Sequence, residues 1–439
     1  MRYAFALLGT LGLFVWLYPI YRFGPFAFGY DTGLYRRYLL EPLTSFPNLP
    51  VPGLDHTIFL PRMVLDLARI LAPGPDAALL GAHVVFSALG ACAVYLFVRA
   101  YLSRLPSLIA TALYLLSAVQ FAAYHEFLFK QAVALPLLLL CLMSLERERY
   151  GRAATLGALI VLTHQTTSIL LLVVAAAGFA ARTVTTRTIS LAYTFSGVAI
   201  GAMYLLLHPH VARKIASPPV GVFIEQFEYL LWSIPIFLLA LIGLYKGVPL
   251  IRRNPVLLAA LLVTTAFVVF HLPFYSRIYV FFDLFLVIPA ALGAEFLLSR
   301  VSGTPGKIAA GALILAVAAI PLTHRFLTYQ PALDQQTQSA LARLSELSVN
   351  ASVITSPALM PWVQGWSRTR AYAPGLLKEP HSVTEWALYW SHSSPRADAE
   401  FLRTFPPPAY IFARQIEHSF LAPCATAIST HLYAVEECL

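Results

Sequence analysis

Long apolar runs, separated by short connections with arginine, lysine or proline, restrict what this chain can fold into. Of its 439 residues, 59% are hydrophobic and 12% are charged, and the mean hydropathy is +0.71. Such a chain has more apolar surface than a water-soluble core can bury, so lipid must cover the remainder. The sequence therefore predicts a polytopic α-helical membrane protein. Its net charge of +9 indicates basic cytoplasmic loops rather than a nucleic-acid-binding surface.

The apolar runs predict about eleven transmembrane helices. These runs are 3–20, 76–100, 107–122, 128–145, 153–163, 166–182, 189–208, 230–251, 255–273, 278–299 and 307–325. The first run lacks a cleavage site, which favours a retained helix over a signal peptide. The runs on either side of THQTT, residues 163–167, are short for a span and predict a bent helix pair.

Basic residues between the runs predict the orientation in the membrane. Arg99, Arg104 and Lys246 fall in connections on one side, which places the N-terminus in the cytoplasm. We expect the membrane to be a bacterial or archaeal cytoplasmic membrane. An odd number of spans then places the C-terminal part outside. The first outer loop, 21–75, nevertheless carries several arginines, so we expect it to bind an anionic group.

The sequence divides into a transmembrane domain, 1–328, and a C-terminal part, 329–439. In the first outer loop, DTGLYRRYLLEPL and DHTIFLPRMVLDLARIL predict amphipathic helices at the membrane surface. After residue 328, a helix, a strand, three helices and further strands predict a small extracytoplasmic α/β domain. In an oxidising space, Cys424 and Cys438 could close a terminal β-hairpin.

Asp31 is the first candidate for chemistry. It follows the first span, between Tyr30 and Tyr35, where an ionised carboxylate needs cations or hydrogen-bond donors to offset its desolvation. Arg36 and Arg37 are close in sequence. Two roles fit Asp31: a general base or acceptor-orienting carboxylate beside an anion site, or a cap on a helix that begins at DTGLY.

Four segments, in their order along the chain, resemble the GT-C superfamily of membrane glycosyltransferases, which use polyprenyl-phosphate-linked sugars, and in particular its protein-mannosyltransferase-like members. Asp31 stands where the superfamily carries its base. YHEFLFKQAVALPLLLL resembles the segment that opens the superfamily's fourth helix and contains Glu126 and Lys130. LIVLTHQTTSILLLV resembles its short-helix bend, with His164 where many relatives have lysine. LPFYSRIYVFFDLFLVIPAALG resembles a late helix entered through Arg277.

The first loop departs from this superfamily in one respect. Many relatives carry an acidic pair there, whereas Thr32 follows Asp31 in this chain. The identity of a second carboxylate therefore stays open, with Glu126 and Asp55 as candidates.

The resemblance implies an inverting transfer of a sugar from a lipid phosphate to an acceptor on the extracytoplasmic side. Such a reaction needs a base for the acceptor hydroxyl and cations for the departing phosphate. The expected catalytic carboxylates are Asp31 and Glu126. The expected phosphate ligands are Arg36, Arg37, Arg62, Lys130 and Arg277. The expected substrate-binding residues are Tyr35, Asp55, His125, His164 and Asp283. Guanidiniums can bind a monophosphate without a divalent ion, so we expect neither metal nor cofactor.

Some of these residues have structural alternatives. Asp283 lies inside its span and is expected to face a cavity or to be paired, for example with Arg277. His164 could instead satisfy the backbone of a broken helix. His125 could bind a metal with the neighbouring carboxylate and the dipeptide Asp55-His56, although this pattern is weak.

Other classes of function also fit a membrane chain. A lipid or sugar transporter or flippase would carry charges deep in several spans and an internal repeat, and apart from Asp283 neither is evident. A scaffold protein would leave the carboxylate and arginines of the first loop unexplained. A polymerase or ligase of lipid-linked glycans could share the architecture. The expected partners are a polyprenyl-phosphate sugar, membrane lipids and a glycan, lipid or protein acceptor, with no nucleic acid.

Overall fold

The computed structural model describes residues 2–40, 59–186, 224–374, 381–391, 394–413 and 425–436. The chain forms two compact units. The first comprises Met1–Pro19, Ile58–Pro61 and His83–Tyr329, and the second comprises Ile20–Thr57, Arg62–Ala82 and Gln330–Leu439. Most of the first outer loop therefore folds with the C-terminal part of the chain, in the second unit.

Helices account for most of the described residues. They are α1 (Arg2–Phe23), α2 (Thr32–Leu40), α3 (Phe59–Leu71), α4 (Pro75–Arg99), α5 (Arg104–Leu116), α6 (Ala118–His125), α7 (Phe129–Glu146), α8 (Tyr150–Val161), α9 (Gln165–Thr186), α10 (Gln226–Arg253), α11 (Pro255–Val269), α12 (Tyr275–Ser299), α13 (Thr304–Thr328), α14 (Gln335–Leu344), α15 (Met360–Trp366), α16 (Val383–Trp390) and α17 (Pro395–Leu402). A short 3₁₀ helix, Gly24–Ala27, follows α1.

Seven helices in the described part of the chain are long and apolar enough to cross a membrane: α1, α4, α7, α9, α10, α12 and α13. The bent pair α5 and α6 raises this number to eight if the pair forms one span, and α8 and α11 are shorter apolar helices. These helices confirm the predicted polytopic α-helical membrane protein. The count of eleven stays a prediction, because the run at 189–208 lies outside the described residues.

The sequence predicts one uninterrupted span at 107–122, and the structure instead breaks it at Ser117. The backbone of Ser117 is extended, and its Oγ accepts hydrogen bonds from the N–H groups of Val119 and Gln120, both at 3.2 Å. These bonds cap the start of α6, and the chain bends by 50° between α5 and α6. A serine within an apolar run thus ends one helix and begins the next.

Helices α10 and α12 pack backbone against backbone. A Cβ atom added at Gly243 would overlap the carbonyl oxygen of Pro289, and one at Gly293 would overlap that of Leu239. Because lipid is as apolar as the helices, close van der Waals packing at small residues is what holds such pairs together. This contact fixes α12, the helix that carries Asp283.

The C-terminal domain, residues 330–439 of the second unit, contains a sheet of five strands in the described part. The strands are β1 (Ser352–Thr355), β2 (Arg370–Tyr372), β3 (Ala409–Phe412), β4 (Ala425–Ser429) and β5 (Leu432–Val435). Their order is β2-β1-β3-β5-β4. β1 pairs in parallel with β2 and β3, whereas β5 pairs antiparallel with β3 and β4. This arrangement confirms the predicted α/β domain.

One short strand of this sheet, β2, escapes prediction from the sequence. β2 has three residues and begins at the exposed Arg370, so it shows no alternation that a pattern could detect. β4 forms a hairpin with β5, in the region where a terminal hairpin is predicted. Cys424 and Cys438 lie outside the described residues, so their pairing stays a prediction.

Candidate active site

Helix α2, which follows Asp31, is packed against α15 of the C-terminal domain within the second unit. A Cβ atom at Gly33 would overlap the carbonyl oxygen of Pro361, so the two backbones touch directly. Just before α2, the ring of Phe26 stacks on that of Trp366 with centroids 4.9 Å apart. The segment that carries Asp31 is therefore held in place by a domain about 300 residues further along the sequence.

Asp31 is the residue immediately before α2, at its N-cap position. Its carbonyl oxygen accepts a hydrogen bond from the N–H of Tyr35 at 3.2 Å. The hydroxyl of Thr32 donates to the carbonyl oxygen of Gly29 at 2.7 Å, which closes the turn before the helix. The half-buried Asp31 carboxylate is thus at the helix end where the dipole stabilises negative charge. Burial and the charge of Asp31 raise the pKa of Tyr30 to about 12, so this phenol stays neutral.

Arg36 connects α2 to two other parts of the second unit. Its Nε donates to Oδ1 of Asp76 at 2.6 Å, and its Nη2 donates to Oδ2 of the same residue at 3.3 Å. Its Nη1 donates to the carbonyl oxygen of Gly365 at 2.5 Å. The guanidinium also stacks over the ring of Trp366, 4.5 Å from the centroid. These contacts give Arg36 a structural role in addition to the predicted phosphate binding, which stays a prediction.

Arg37 and Arg62 are also in contact with neighbouring groups. Nη1 of Arg37 donates to the carbonyl oxygen of Ser367 at 2.8 Å. The buried Arg62 side chain donates from Nε to Asp66 at 2.8 Å, one turn along α3, and its guanidinium lies 5.3 Å from the ring centroid of Tyr38. Burial raises the pKa of Tyr38, so a neutral ring faces this cation. Arg62 therefore joins α3 to α2.

In the first unit, His125, Glu126 and Lys130 lie at the connection between α6 and α7, which we call the α6–α7 corner. The His125 ring is buried and lies 4.1 Å, between centroids, from both Phe121 and Tyr329. Burial and the negative charge of Glu126 raise the pKa of Tyr329. Lys130 is half-buried in the first turn of α7. This corner thus presents one carboxylate and one ammonium group within five residues.

Asp283 is fully buried in α12, and its partners are neutral side chains from the α5–α6 break. Its Oδ2 accepts hydrogen bonds from Oγ of Ser117 at 2.8 Å and from Nε2 of Gln120 at 2.9 Å. The expected pairing with Arg277 is wrong, since the structure describes both side chains and shows no ion pair between them. Six residues apart on a helix, their side chains point in directions about 120° apart. Arg277 itself is half-buried in the first turn of α12.

His164 is buried at the connection between α8 and α9. Its Nδ1 lies 2.7 Å from Oγ1 of Thr167, and its carbonyl oxygen accepts a hydrogen bond from Oγ of Ser168 at 2.8 Å. The N–H of Leu60, at the start of α3, donates to the carbonyl oxygen of Leu162 in the same connection at 3.3 Å. These contacts support the structural alternative for His164, which satisfies polar groups where the helix is broken.

The predicted site residues fall into two groups. Asp31, Tyr35, Arg36, Arg37 and Arg62 belong to the second unit, and His125, Glu126, Lys130, His164, Arg277 and Asp283 belong to the first. Asp55 and His56 lie outside the described residues. In the part that the structure describes, no three His, Cys, Asp or Glu side chains are arranged to hold a metal. Sequence reasoning missed Ser117, Gln120 and Asp76, although the first two stand out as polar residues within an apolar run.

No protein family and no curated protein matches the sequence, but solved structures match the fold. The oligosaccharyltransferase AglB from Archaeoglobus fulgidus, in complex with an inhibitory peptide and a dolichol-phosphate, is 13% identical, with a TM-score of 0.67 over 94% of this chain and 69% of that chain. ArnT from Cupriavidus metallidurans bound to undecaprenyl phosphate is 12% identical, with a TM-score of 0.60 over 98% of this chain and 97% of that chain. The same ArnT in the apo state has a TM-score of 0.61. At these identities the likeness shows a shared fold.

Proposed function

Because the chain has the fold of the GT-C superfamily of membrane glycosyltransferases, we propose that it transfers a sugar from a polyprenyl-phosphate-linked donor to an acceptor on the extracytoplasmic side of the membrane. The observation that carries this proposal is the extent of the fold likeness. It covers 94% and 98% of this chain in the two comparisons, and therefore includes both the membrane part and the C-terminal domain. The two similar proteins were solved with different polyprenyl phosphates, which supports the same class of lipid here.

In the proposed reaction, the acceptor hydroxyl attacks the anomeric carbon of the sugar from the face opposite the phosphate. The bond from the acceptor oxygen to this carbon forms while the bond from the carbon to the phosphate oxygen breaks, so the anomeric configuration is inverted. Asp31 takes the proton of the acceptor hydroxyl, and the polyprenyl phosphate leaves with the electron pair. At the N-cap position the dipole of α2 favours the ionised carboxylate, which is the form that can accept a proton.

Cations are needed where negative charge accumulates on the departing phosphate. Lys130 and Arg277 are our strongest candidates, since each stands in the first turn of a helix and keeps a half-buried, partly accessible side chain. Helix N-termini add backbone N–H groups that favour phosphate. Arg36, Arg37 and Arg62 are further candidates, and the structure also gives each of them contacts within the second unit.

Asp283 contributes as a positioning residue. By accepting hydrogen bonds from Ser117 and Gln120, it fixes the start of α6 on α12. Since α6 has eight residues and leads directly into Glu126, the same bonds orient the corner that carries Glu126 and Lys130. We propose Glu126 as the second carboxylate at the acceptor.

The donor class can be tested with the purified chain in proteoliposomes. The vesicles would contain either radiolabelled polyprenyl-phosphate hexose and pentose donors or a polyprenyl-diphosphate oligosaccharide, together with an extract of envelope acceptors. With a polyprenyl-phosphate hexose or pentose donor, we expect transfer of the label to the acceptor and release of an equal amount of polyprenyl phosphate. EDTA should leave the rate of this transfer unchanged.

Three other results would contradict this proposal. Transfer from the diphosphate donor alone would indicate a polymerase or ligase of lipid-linked glycans. Movement of the intact donor across the bilayer without cleavage would indicate a flippase or transporter. Loss of transfer after EDTA treatment, restored by a divalent cation, would refute metal independence.

A further inference from the structure

A basic cavity of about 830 Å³ lies in the first unit where α4, α7, α9, α10 and α11 begin or end. Its volume is typical of small-molecule sites, which measure roughly 300–1,000 Å³. The titratable residues that line it are Tyr101, Glu146, Arg147, Arg182, Arg252 and Arg253. Four arginines and one glutamate thus surround a space with room for a sizeable anionic group.

The basic cavity is distinct from the residues proposed to bind the donor. Lys130 stands in the first turn of α7, whereas Glu146 and Arg147 stand at its last residue and just beyond it. α7 has 18 residues, and at 1.5 Å per residue its ends are about 27 Å apart. This is close to the thickness of a bilayer core. A phosphate in the basic cavity would therefore bind at the other end of the span.

The acidic groups around the basic cavity are occupied by other partners. Oε2 of Glu146 accepts a hydrogen bond from the N–H of Val256 at 3.1 Å and thereby caps the start of α11. Glu148 forms an ion pair with Arg182. In the part of the chain that the structure describes, the exposed guanidiniums of Arg147, Arg252 and Arg253 form no ion pair. The cavity therefore keeps a surplus of positive charge.

A buried hydroxyl belongs to one of the lining residues. Tyr101, which follows α4, lines the basic cavity, and its hydroxyl is buried and has no hydrogen-bond partner among the described residues. Burial and the nearby charge of Glu146 raise its pKa, so it keeps its proton. Because a buried hydroxyl without a partner is costly, such a group indicates a missing acceptor.

The usual explanation for arginines at span ends is the orientation of the chain in the membrane, which requires no cavity. Arg300 illustrates that case: it follows α12, stacks over the Phe296 ring at 4.9 Å and is not part of the basic cavity. Orientation in the membrane does not explain the three arginines without ion pairs, the glutamate that caps α11 or the buried hydroxyl of Tyr101. We propose that the basic cavity is a binding site for a phosphate group, carried either on an anionic lipid or free in solution.

The test uses the full-length protein in detergent and titration calorimetry at one fixed ionic strength. The probes are dihexanoyl phosphatidic acid, dihexanoyl phosphatidylcholine as a lipid without net charge, and inorganic phosphate. The wild type is compared with the double variant Arg252→Gln/Arg253→Gln and with the control Arg300→Gln. Because these three arginines are exposed, both variants are expected to melt within a few degrees of the wild type.

We expect saturable binding of phosphatidic acid and not of phosphatidylcholine. The double variant should weaken this binding at least about tenfold, since each arginine near a phosphate contributes severalfold, whereas Arg300→Gln should leave it unchanged. Equal affinity for inorganic phosphate would identify a free phosphate as the ligand, and binding of phosphatidic acid alone would identify a lipid headgroup. If neither phosphate probe binds saturably, or if the double variant binds as well as Arg300→Gln does, the proposal is refuted.

Discussion

Removal of the Arg36 side chain should loosen α2 while leaving the remainder of the second unit folded. The guanidinium joins α2 to the carboxylate of Asp76, to the carbonyl oxygen of Gly365 and to the ring of Trp366. These groups lie 40 to 330 residues away in sequence, so no local contact replaces them. Arg36→Ala thus tests whether long-range contacts hold the helix that follows Asp31.

The size of the effect follows from the exposure of each partner. The bond to the carbonyl of Gly365 has a charged donor whose side chain is only 13% exposed, and such bonds contribute about 1.5–3 kcal/mol. Stacking on Trp366 adds about 0.5–1 kcal/mol. The Asp76 side chain is 42% exposed, so solvent screening limits this ion pair to about 0.5–1 kcal/mol. Together they amount to about 3 kcal/mol, or roughly a hundredfold in an opening equilibrium.

Amide hydrogen exchange read by mass spectrometry measures this opening directly. Peptides covering α2 and α15 should exchange roughly a hundredfold faster in Arg36→Ala, and less than about sixfold faster in Asp76→Asn, which removes only the screened ion pair. The control is Arg396→Ala, since Arg396 is 89% exposed on α17 in the same unit and, among the described residues, forms an ion pair only with Glu400. An acceleration below tenfold in Arg36→Ala, or one equal to that in Arg396→Ala, would refute the structural role.

Three further predictions concern the fold. Gly33→Ala should lower the melting temperature, since its Cβ would overlap the carbonyl of Pro361 at a cost of about 1–3 kcal/mol; Gly74→Ala, where nothing lies within 4 Å, should not. Asp283→Leu should lower the melting temperature, because the buried Ser117 hydroxyl loses its acceptor at about 1–3 kcal/mol, and the half-buried Gln120 amide keeps only its bond to the carbonyl oxygen of Val280. Asp283→Asn should lower it by less, and equal effects would contradict this account. Hydrogen bonds at the start of α16 lower the pKa of the Glu385 carboxyl below 4.5. Glu385 therefore stabilises the folded state above about pH 4.5, and this contribution is lost as the pH falls. Glu385→Gln should reduce the difference in melting temperature between pH 7 and pH 3.

Local patterns were enough to predict most elements of the fold. Apolar runs predicted the spans found in the described residues, and the helical and strand patterns of apolar residues predicted most elements of the C-terminal domain. The break at Ser117 was not predicted, because a single serine in an apolar run does not distinguish a helix cap from a buried polar residue.

Less of the candidate site could be predicted, because its contacts are long-range. The position of Asp31 before a helix is a local property, and the sequence indicated it correctly. The partners of Arg36 and the neutral hydrogen bonds of Asp283 depend on which helices pack together. No pattern along one sequence connects Gly33 with Pro361, although their backbones touch.

The proposal that Asp31 is the base is tested most directly by separating donor binding from catalysis in Asp31→Asn. This variant keeps the size and the capping ability of the side chain but removes its basicity. With a labelled polyprenyl-phosphate sugar in proteoliposomes, we predict that donor affinity stays within about threefold of the wild type, while the turnover rate falls by roughly 10²–10⁴-fold, as expected for loss of a general base. Turnover at the wild-type rate in a correctly inserted variant would contradict the proposed mechanism.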